Sequence, residues 1–349
     1  MSQIKIACLP GDGVGPEVYH SVKALLQAVN HKFSRAIELT EYLIGGAAID
    51  ACGQPLPAET LQACKNADAV FLGAVGGPRW DDPSLAVRPE QGLLQLRKSL
   101  EVYANIRPLT AYSSLLDASP LKQNIIENVD FVIVRELTGG LYFGRKTRTS
   151  DYATDECRYS VDEIQRIAHV ACETAMQRKR VLTSVDKANV LETSRLWREV
   201  VSAYVEQNFP EIKLNHQLVD SCAMKLISSP REFDVILTEN MFGDILSDEA
   251  SVLSGSMGLL ASASIGERHA LFEPIHGSAP DIAGQGVVNP IAAILSAAMM
   301  LRWLKLFDEA DSIEKAVRAT IDARILTPDL NSNQRYLTQD VTRAVIERL

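Results

Sequence analysis

Long apolar runs are missing from this 349-residue chain. The most hydrophobic stretch, from Ile291 to Leu301, stops at Arg302, too short to cross a bilayer, and reads as a buried core helix. An excess of basic residues is missing too. Lys and Arg number 35 against 44 Asp and Glu, a net charge of −9, which argues against nucleic acid or an anionic membrane as the main partner. Any anionic ligand must be drawn in by a local cluster of cations. The six cysteines (8, 52, 64, 157, 172 and 222) show no CxxC spacing, so the reading is buried free thiols in a reducing, cytoplasmic compartment. The N-terminus runs directly into a strand, and no signal or transit segment is expected. No GxxxxGK[ST] loop occurs, which removes the usual support for phosphoryl transfer. A GxGxxG fingerprint also fails in LPGDGVGPEV, where Val18 stands at the place of the third glycine. Gly11 and Gly13 are read instead as a tight turn needing unusual φ, with Pro16 suited to the first helical turn.

What is present is an ordinary globular composition, 46% hydrophobic and 23% charged, long enough for two domains with their own cores. ADAVFLGAVGG reads as a buried strand ending in glycines. In RPEQGLLQLRKSLEVYANIRP, Pro89 suits a helix start, and Glu90, Leu93, Leu94, Arg97 and Glu101 fall along one helical face. Such a face suits a pocket for a small branched alkyl group beside a carboxylate. A boundary helix with Arg97 snorkelling explains it equally well. FVIVRELTGGLYFG reads as a strand ending in Arg135 and Glu136, a Gly-Gly turn, and a second short strand carrying Tyr142. Arg97, Arg107 and Arg135, all at element ends, have the chemistry to clamp two carboxylates, although any one of them is more often a surface ion pair. The polar run RKTRTSDYATDECRYS reads as an exposed hairpin or arm. Lys187 ends the strand RVLTSV at the start of an amphipathic helix, where desolvation could make it a base. The stretch LFEPIHGSAPDIAGQGVVNP is a loop dense in Gly and Pro, able to wrap an adenosine or simply to connect.

Three acids stand out between Val219 and Ala250. FDVILTEN reads as a buried strand, followed by a helix with Ile245, Leu246, Ala250 and Leu253 at core-facing spacings. Asp244 and Asp248 are four apart and share a helical face. Asp220 sits where another strand gives way to a helix. A solvated helix face is the plain explanation of the first two. Three acids at two strand ends beside Asn240 favour a Mg²⁺ or Mn²⁺ site built of oxygen ligands.

These segments together resemble the isocitrate/isopropylmalate dehydrogenase family of β-hydroxyacid oxidative decarboxylases. LPGDGVGPEV, LIGGAAID, GPRWDDP, EQGLLQLRK, YANIRP, RELTGGLYFG, SVDKANVLETSRLWREV, the stretch from Asp220 to Asp248, and FEPIHGSAPDIAG followed by NP occur in the family's order. The resemblance implies an α/β, two-domain α/β/α fold with a mixed sheet, not a Rossmann fold. One domain would join residues 1–102 to 255–349. The other, 103–254, would carry the metal site and a dimer interface with an arm near 145–159. It implies a cleft that closes on substrate and a homodimer with shared sites, each subunit lending Lys187, Val190 and Asp220 to the other.

The implied roles follow by position. Arg97, Arg107 and Arg135 would hold the carboxylates of 3-isopropylmalate, and Asp220, Asp244 and Asp248 the Mg²⁺ or Mn²⁺. Lys187 would be the base and Tyr142 the acid. Leu93, Leu94 and Val190 would form the alkyl site, with Glu90 near the nicotinamide. His276, Gly277, Ser278, Ala279, Asp281, Ile282 and Asn289 would hold the adenosine of NAD, with Asp281 repelling a 2′-phosphate. A third carboxylate buried against two leucines would cost several kcal/mol, about 2–7 for an unpaired polar group, which favours the isopropyl substrate. A tartrate/D-malate dehydrogenase of the same family is the alternative. A catalytically silent regulatory subunit is disfavoured because every site position is filled. The sequence departs from the family's pattern in lacking a proline soon after Gly144 and in carrying Cys8 where an aliphatic residue is commoner.

Overall fold

The computed structural model describes residues 3–80, 82, 85–330 and 336–349. They divide into two compact units, Met1–Val102 with Ser256–Leu349, and Tyr103–Gly255.

The first unit begins with β1 (Ile4–Gly11) and α1 (Gly15–Phe33). Between them Gly11 and Gly13 take φ of 72° and 58°, the left-handed values the tight-turn reading requires. Pro16 opens α1, which buries Val18, Val22, Leu25, Leu26 and Val29 along one stripe. Then come β2 (Ile37–Glu41), α2 (Gly45–Cys52), α3 (Ala58–Asn66), the fully buried β3 (Ala69–Ala74) and α4 (Pro89–Ser99). The helical face predicted to reach Glu101 is shorter than that. The α4 helix stops at Ser99, Glu101 takes φ 54°, and the Val102 amide turns back onto the Arg97 carbonyl at 3.2 Å. A left-handed residue there ends the helix and reverses the chain.

The second unit is the intervening segment. Its elements are β4 (Ala104–Thr110), α5 (Gln123–Ile126), β5 (Asp130–Glu136), β6 (Lys146–Arg148), β7 (Ala153–Asp155), α6 (Val161–Met176), β8 (Val181–Asp186), α7 (Glu192–Asn208), β9 (Lys213–Leu218), α8 (Val219–Ser228), β10 (Val235–Thr238) and α9 (Asn240–Ser251). Five strands run in the order β4-β5-β10-β8-β9, with β4 antiparallel to β5 and the remaining pairs parallel. The polar run does form an exposed antiparallel hairpin, β6 with β7.

Three local expectations fail here. Tyr142 is not on a strand. Gly140 takes φ 69° and its carbonyl accepts the Gly144 amide at 3.0 Å, so Gly140–Tyr142 closes into one 3₁₀ turn with no ladder to join. Ile245 is 60% exposed, because Leu246, Ala250 and Leu253 already fill the core stripe and Ile245 lies a helical step off it. Lys187 follows β8 directly, but a turn reaching Leu191 separates it from α7.

The chain then returns to the first unit with β11 (Ala261–Ile265), β12 (Ala270–Pro274), α10 (Ile291–Trp303), α11 (Phe307–Asp322) and α12 (Thr338–Ile346). Strands run β2-β1-β3-β12-β11, parallel except for the antiparallel β11–β12 pair. The result is a mixed α/β fold. The apolar segment Ile291–Leu301 lies within α10 and is the buried core helix that its composition predicts. Among the described residues no helix is long and apolar enough to cross a membrane. Cys8, Cys64, Cys172 and Cys222 are buried free thiols, whereas Cys52 is exposed.

Candidate active site

In the Tyr103–Gly255 unit, the end of β5, the 3₁₀ turn and the first turns of α9 bring Arg135, Tyr142 and Asp244 together. Arg135, only 3% exposed, donates through Nε (3.0 Å) and Nη2 (2.7 Å) to Asn240 Oδ1 and through Nη1 to Asp244 Oδ1. Tyr142 Oη donates to the other Asp244 oxygen at 2.8 Å. Burial, then the Asp244 carboxylate, pushes the Tyr142 hydroxyl up to about 12, so it remains a proton donor at neutral pH. The turn carrying Tyr142 is anchored by the buried Glu136, which accepts the Thr138 amide at 3.0 Å and the Gly139 amide at 2.8 Å. Desolvation raises the Glu136 carboxyl and those amides pull it back.

Arg107 on β4 donates to Asn105 Oδ1 at 2.7 Å and to Ser247 Oγ, and its Nη1 lies 3.6 Å from Asp248 Oδ1. Asp244 and Asp248 thus share one face of α9, as their spacing predicts, each beside an arginine. Asp220, in the first turn of α8, is paired with Lys187 Nζ, which holds its carboxyl below the usual range. Among the described residues, no three acids, histidines or cysteines converge as a metal site. Asp220, Asp244 and Asp248 therefore do not converge as a metal site within this single chain. Two partly exposed carboxylates four residues apart still suit a hard cation that draws its remaining oxygen ligands from elsewhere.

Two features of this unit were not read from sequence. Buried Asp186 receives both Arg198 Nε and Nη2 at 2.8 Å and the Ala188 amide at 2.9 Å, which fixes the turn bearing Lys187. Tyr159 bridges the first turn of α9 through its hydroxyl. Both are ordinary residues until burial reveals their partners, although Asp186 beside Lys187 at a strand end was a usable signal. Val190, on the same turn as Lys187, is 61% exposed.

In the other unit the glycine turn and the adenosine-type loop are joined through backbone. The Val14 amide donates to the Ser278 carbonyl at 2.8 Å, and a Cβ on Gly13 would stand 2.0 Å from that oxygen. Asp12, buried between the two glycines, accepts the amides of Gly46 (2.7 Å), Ala47 (2.8 Å) and Gly76 (2.8 Å). Burial raises its carboxyl and the three amides oppose that. Glu17 accepts the Gly284 and Gly286 amides and so ties the loop to α1. Neither acid was singled out in the sequence. A Cβ on Gly76 would meet Glu90 Oε1 at 3.2 Å and Ser278 Oγ at 3.7 Å, which places Glu90 beside the loop.

Ser278 and Asn289 are buried, the latter capping α10 by accepting the Ile291 amide at 3.0 Å. Ala279 takes φ 37°, and its carbonyl receives the Ile282 amide at 3.2 Å. Asp281 is exposed, and Gly277 has open space where a Cβ would be. His276 Nδ1 lies 2.9 Å from the Gly277 carbonyl, while its buried Nε2 has no partner among the described residues and burial lowers its basicity. A neutral imidazole with an unmatched buried nitrogen, next to an open glycine and in one loop with an exposed carboxylate, fits a nucleoside. Arg97 is paired with Glu273 at 2.6 Å, and its buried Nε has no partner among the described residues. Along the same helix Leu93 is half-buried and Leu94 is 38% exposed.

The sequence profile described as isocitrate/isopropylmalate dehydrogenase matches residues 5–345. Among curated relatives, a 3-isopropylmalate dehydrogenase of Priestia megaterium is 55% identical over 343 residues, covering 96% of this chain and 93% of its own. The Bacillus subtilis protein of the same name is 54% identical, with 98% and 96% covered. Among solved structures, an isocitrate dehydrogenase from Methylococcus capsulatus aligns with TM-score 0.89 at 34% identity over 99% of both chains. A β-decarboxylating dehydrogenase from Thermococcus kodakarensis aligns with TM-score 0.78 at 37% identity, over 99% of this chain and 96% of its own.

Proposed function

We propose that this chain, which belongs to the isocitrate/isopropylmalate dehydrogenase family, oxidises and decarboxylates 3-isopropylmalate with NAD and Mg²⁺ or Mn²⁺, giving 2-oxo-4-methylpentanoate in leucine biosynthesis. The observation that carries the reading is the constellation of Arg135, Asp244 and Tyr142, in which one carboxylate is held at its two oxygens by a guanidinium and by a protonated phenol. Relatives bearing the 3-isopropylmalate dehydrogenase name at 54–55% identity support the substrate.

Arg97, Arg107 and Arg135 bind the malate carboxylates in this reading, their planar forks matching carboxylate geometry. Leu93 and Leu94 receive the isopropyl group, joined by Val190 of a second copy. Asp244 and Asp248, with Asp220 of a second copy, hold the ion. When bound, the ion would supply Lewis acidity toward the substrate and NAD the capacity to accept a hydride. Lys187 Nζ of a second copy takes the C2 hydroxyl proton, and Tyr142 Oη returns a proton to the carbon that CO₂ leaves. Asp186 and Arg198 keep the Lys187 turn in place, and Glu136 keeps the Tyr142 turn. His276, Gly277, Ser278, Ala279, Asp281, Ile282 and Asn289 take the adenosine, with Glu90 toward the nicotinamide. Asp281 accepts the ribose hydroxyls and disfavours a 2′-phosphate.

Met224 (73% exposed) and Ile227 on α8, with Ile245 on the adjacent α9, form an apolar surface that supports a homodimer, the arrangement that lends Lys187, Val190 and Asp220 to a second copy. The free thiols support a cytoplasmic enzyme. One assay tests the reading: NADH absorbance with 3-isopropylmalate, D-malate and isocitrate, with and without Mn²⁺. The expected result is turnover of the first, abolished by chelator and by Asp244→Ala. Faster turnover of D-malate would replace the substrate assignment with the tartrate/D-malate one. Full activity of Asp244→Ala without metal would remove the ion site.

A further inference from the structure

Tyr159 lies between the hairpin and α6, at the end of the stretch that the family resemblance reads as an interface arm. Its position is fixed by the next residue. Ser160 caps α6, receiving the Glu163 amide on its hydroxyl at 3.3 Å while its own amide donates to Glu163 Oε2 at 2.7 Å. The Tyr159 ring is buried and meets Trp197 of α7 edge-on at 5.5 Å between centroids. Its hydroxyl makes two bonds at one point of the fold: it donates to Glu239 Oε2 at 3.1 Å and accepts the Asn240 amide at 3.0 Å. Glu239 is the cap of α9 and receives the Phe242 amide on its other oxygen. Asn240 in turn accepts both Arg135 donors and donates from Nδ2 to the Gly139 carbonyl at 3.1 Å.

The same ring is the floor of the turn that carries Tyr142. A Cβ on Gly140 would stand 2.1 Å from the Tyr159 oxygen, and one on Gly139 would stand 2.9 Å from its ring. The pair of glycines is therefore the imprint of this tyrosine, and the Gly140 amide adds a 3.2 Å bond to the Arg158 carbonyl next door. Two independent routes thus lead from one side chain. One runs through Asn240 to Arg135 and Asp244, the other through Gly139 and Gly140 to Tyr142.

We propose that Tyr159 is a positioning residue for the decarboxylation: its hydroxyl sets the first turn of α9 and its ring sets the turn of Tyr142, so that acid, arginine and metal carboxylate keep one mutual geometry. The inference rests on the roles given above to Tyr142, Arg135 and Asp244. Removing the hydroxyl leaves the ring in its packing but deprives the Asn240 amide of its acceptor and Glu239 of a donor, both in a buried place.

The test is Tyr159→Phe beside Trp197→Phe, which perturbs the packing of the same ring and spares the hydroxyl. For Tyr159→Phe the expected result is a kcat lower by about 10–100-fold, the usual size for the residue behind a ligand, with KM unchanged. Amide hydrogen exchange in the ligand-free protein should quicken at Asn240 and over 139–142. Trp197→Phe should lower Tm and leave kcat unchanged. A wild-type kcat in Tyr159→Phe, unaltered exchange at Asn240, or an equal kcat loss in Trp197→Phe would each overturn the proposal. Exchange needs no substrate, so an enzyme inactive on every malate tested would strike the functional reading while leaving the exchange result to stand or fall by itself.

Discussion

The Tyr103–Gly255 unit holds the groups proposed to react by side chains reaching side chains across long stretches of sequence: Arg135 to Asn240 and Asp244, Tyr142 to Asp244, Lys187 to Asp220. The other unit works through backbone amides collected on two acids, with buried Asp12 taking those of Gly46, Ala47 and Gly76 and half-buried Glu17 taking two from the candidate nucleotide loop, and through a glycine that admits the Ser278 carbonyl. The first construction depends on the charge and reach of individual groups. The second depends on the path of the chain. They should therefore fail differently when altered.

The sharpest contrast is expected from Lys187→Ala. Losing the group proposed to move a proton should lower kcat by about 10²–10⁴-fold, while NAD affinity, measured by fluorescence titration, stays as it was. A large loss of NAD affinity would show that the two halves are not separable in this way. Next in size is Gly13→Ala, whose methyl group meets the Ser278 carbonyl in a left-handed conformation. The strain is about 1–3 kcal/mol, to be read as a lower denaturation midpoint and weaker NAD binding with kcat at saturating NAD nearly kept. Asp12→Ala should cost at least as much stability, since the buried Gly46 and Gly76 amides and the half-buried Ala47 amide lose their acceptor at about 1–3 kcal/mol for each buried group left unpaired; denaturant unfolding checks it, and an unchanged midpoint would mean water replaces the carboxylate.

The smallest effect is a pH dependence. Burial, with Arg198 nearby, lowers the basicity of His216 from its ordinary 6.5 against the weaker pull of Asp186. Its Nδ1 lies 4.0 Å from Asp186 Oδ2 and its Nε2 meets Ser202 Oγ. With the folded value depressed, the unfolded chain binds the proton first as pH falls. Stability is whole above about 6.5 and declines as the solution is acidified through the folded value. His216→Gln should flatten that part of the stability curve, measured as Tm between mildly alkaline and mildly acid buffers.

Sequence patterns carried the local features well and the long-range ones poorly. The turn at Gly11 and Gly13, the helix opened by Pro16, the buried α10 and the shared face of Asp244 and Asp248 all follow from rules that act over a few residues. Ile245 was misplaced because a helical stripe is chosen by what it packs against, and periodicity alone did not separate Ile245 from Leu246. A Gly-Gly pair permits both a hairpin and a single turn, and the structure has the single turn, seated over the Tyr159 ring. The pairing of Arg97 with Glu273 and the role of Asp12 are invisible for a different reason: they depend on burial and on partners far along the chain. Resemblance to a family, unlike periodicity, brought the scattered site residues into one hypothesis.

The discontinuity of the first unit has a consequence for biosynthesis. Strands β3 and β12 pair in parallel, Val70 beside Leu271 and Phe71 beside Phe272, yet the whole inserted unit separates them in the chain. On a translating ribosome, β3 must wait with an unpaired side until that insertion has emerged, while the insertion can mature ahead of it. An apolar strand left open in this way invites aggregation, so nascent chains stalled just before β11 should be the ones chaperones hold most firmly.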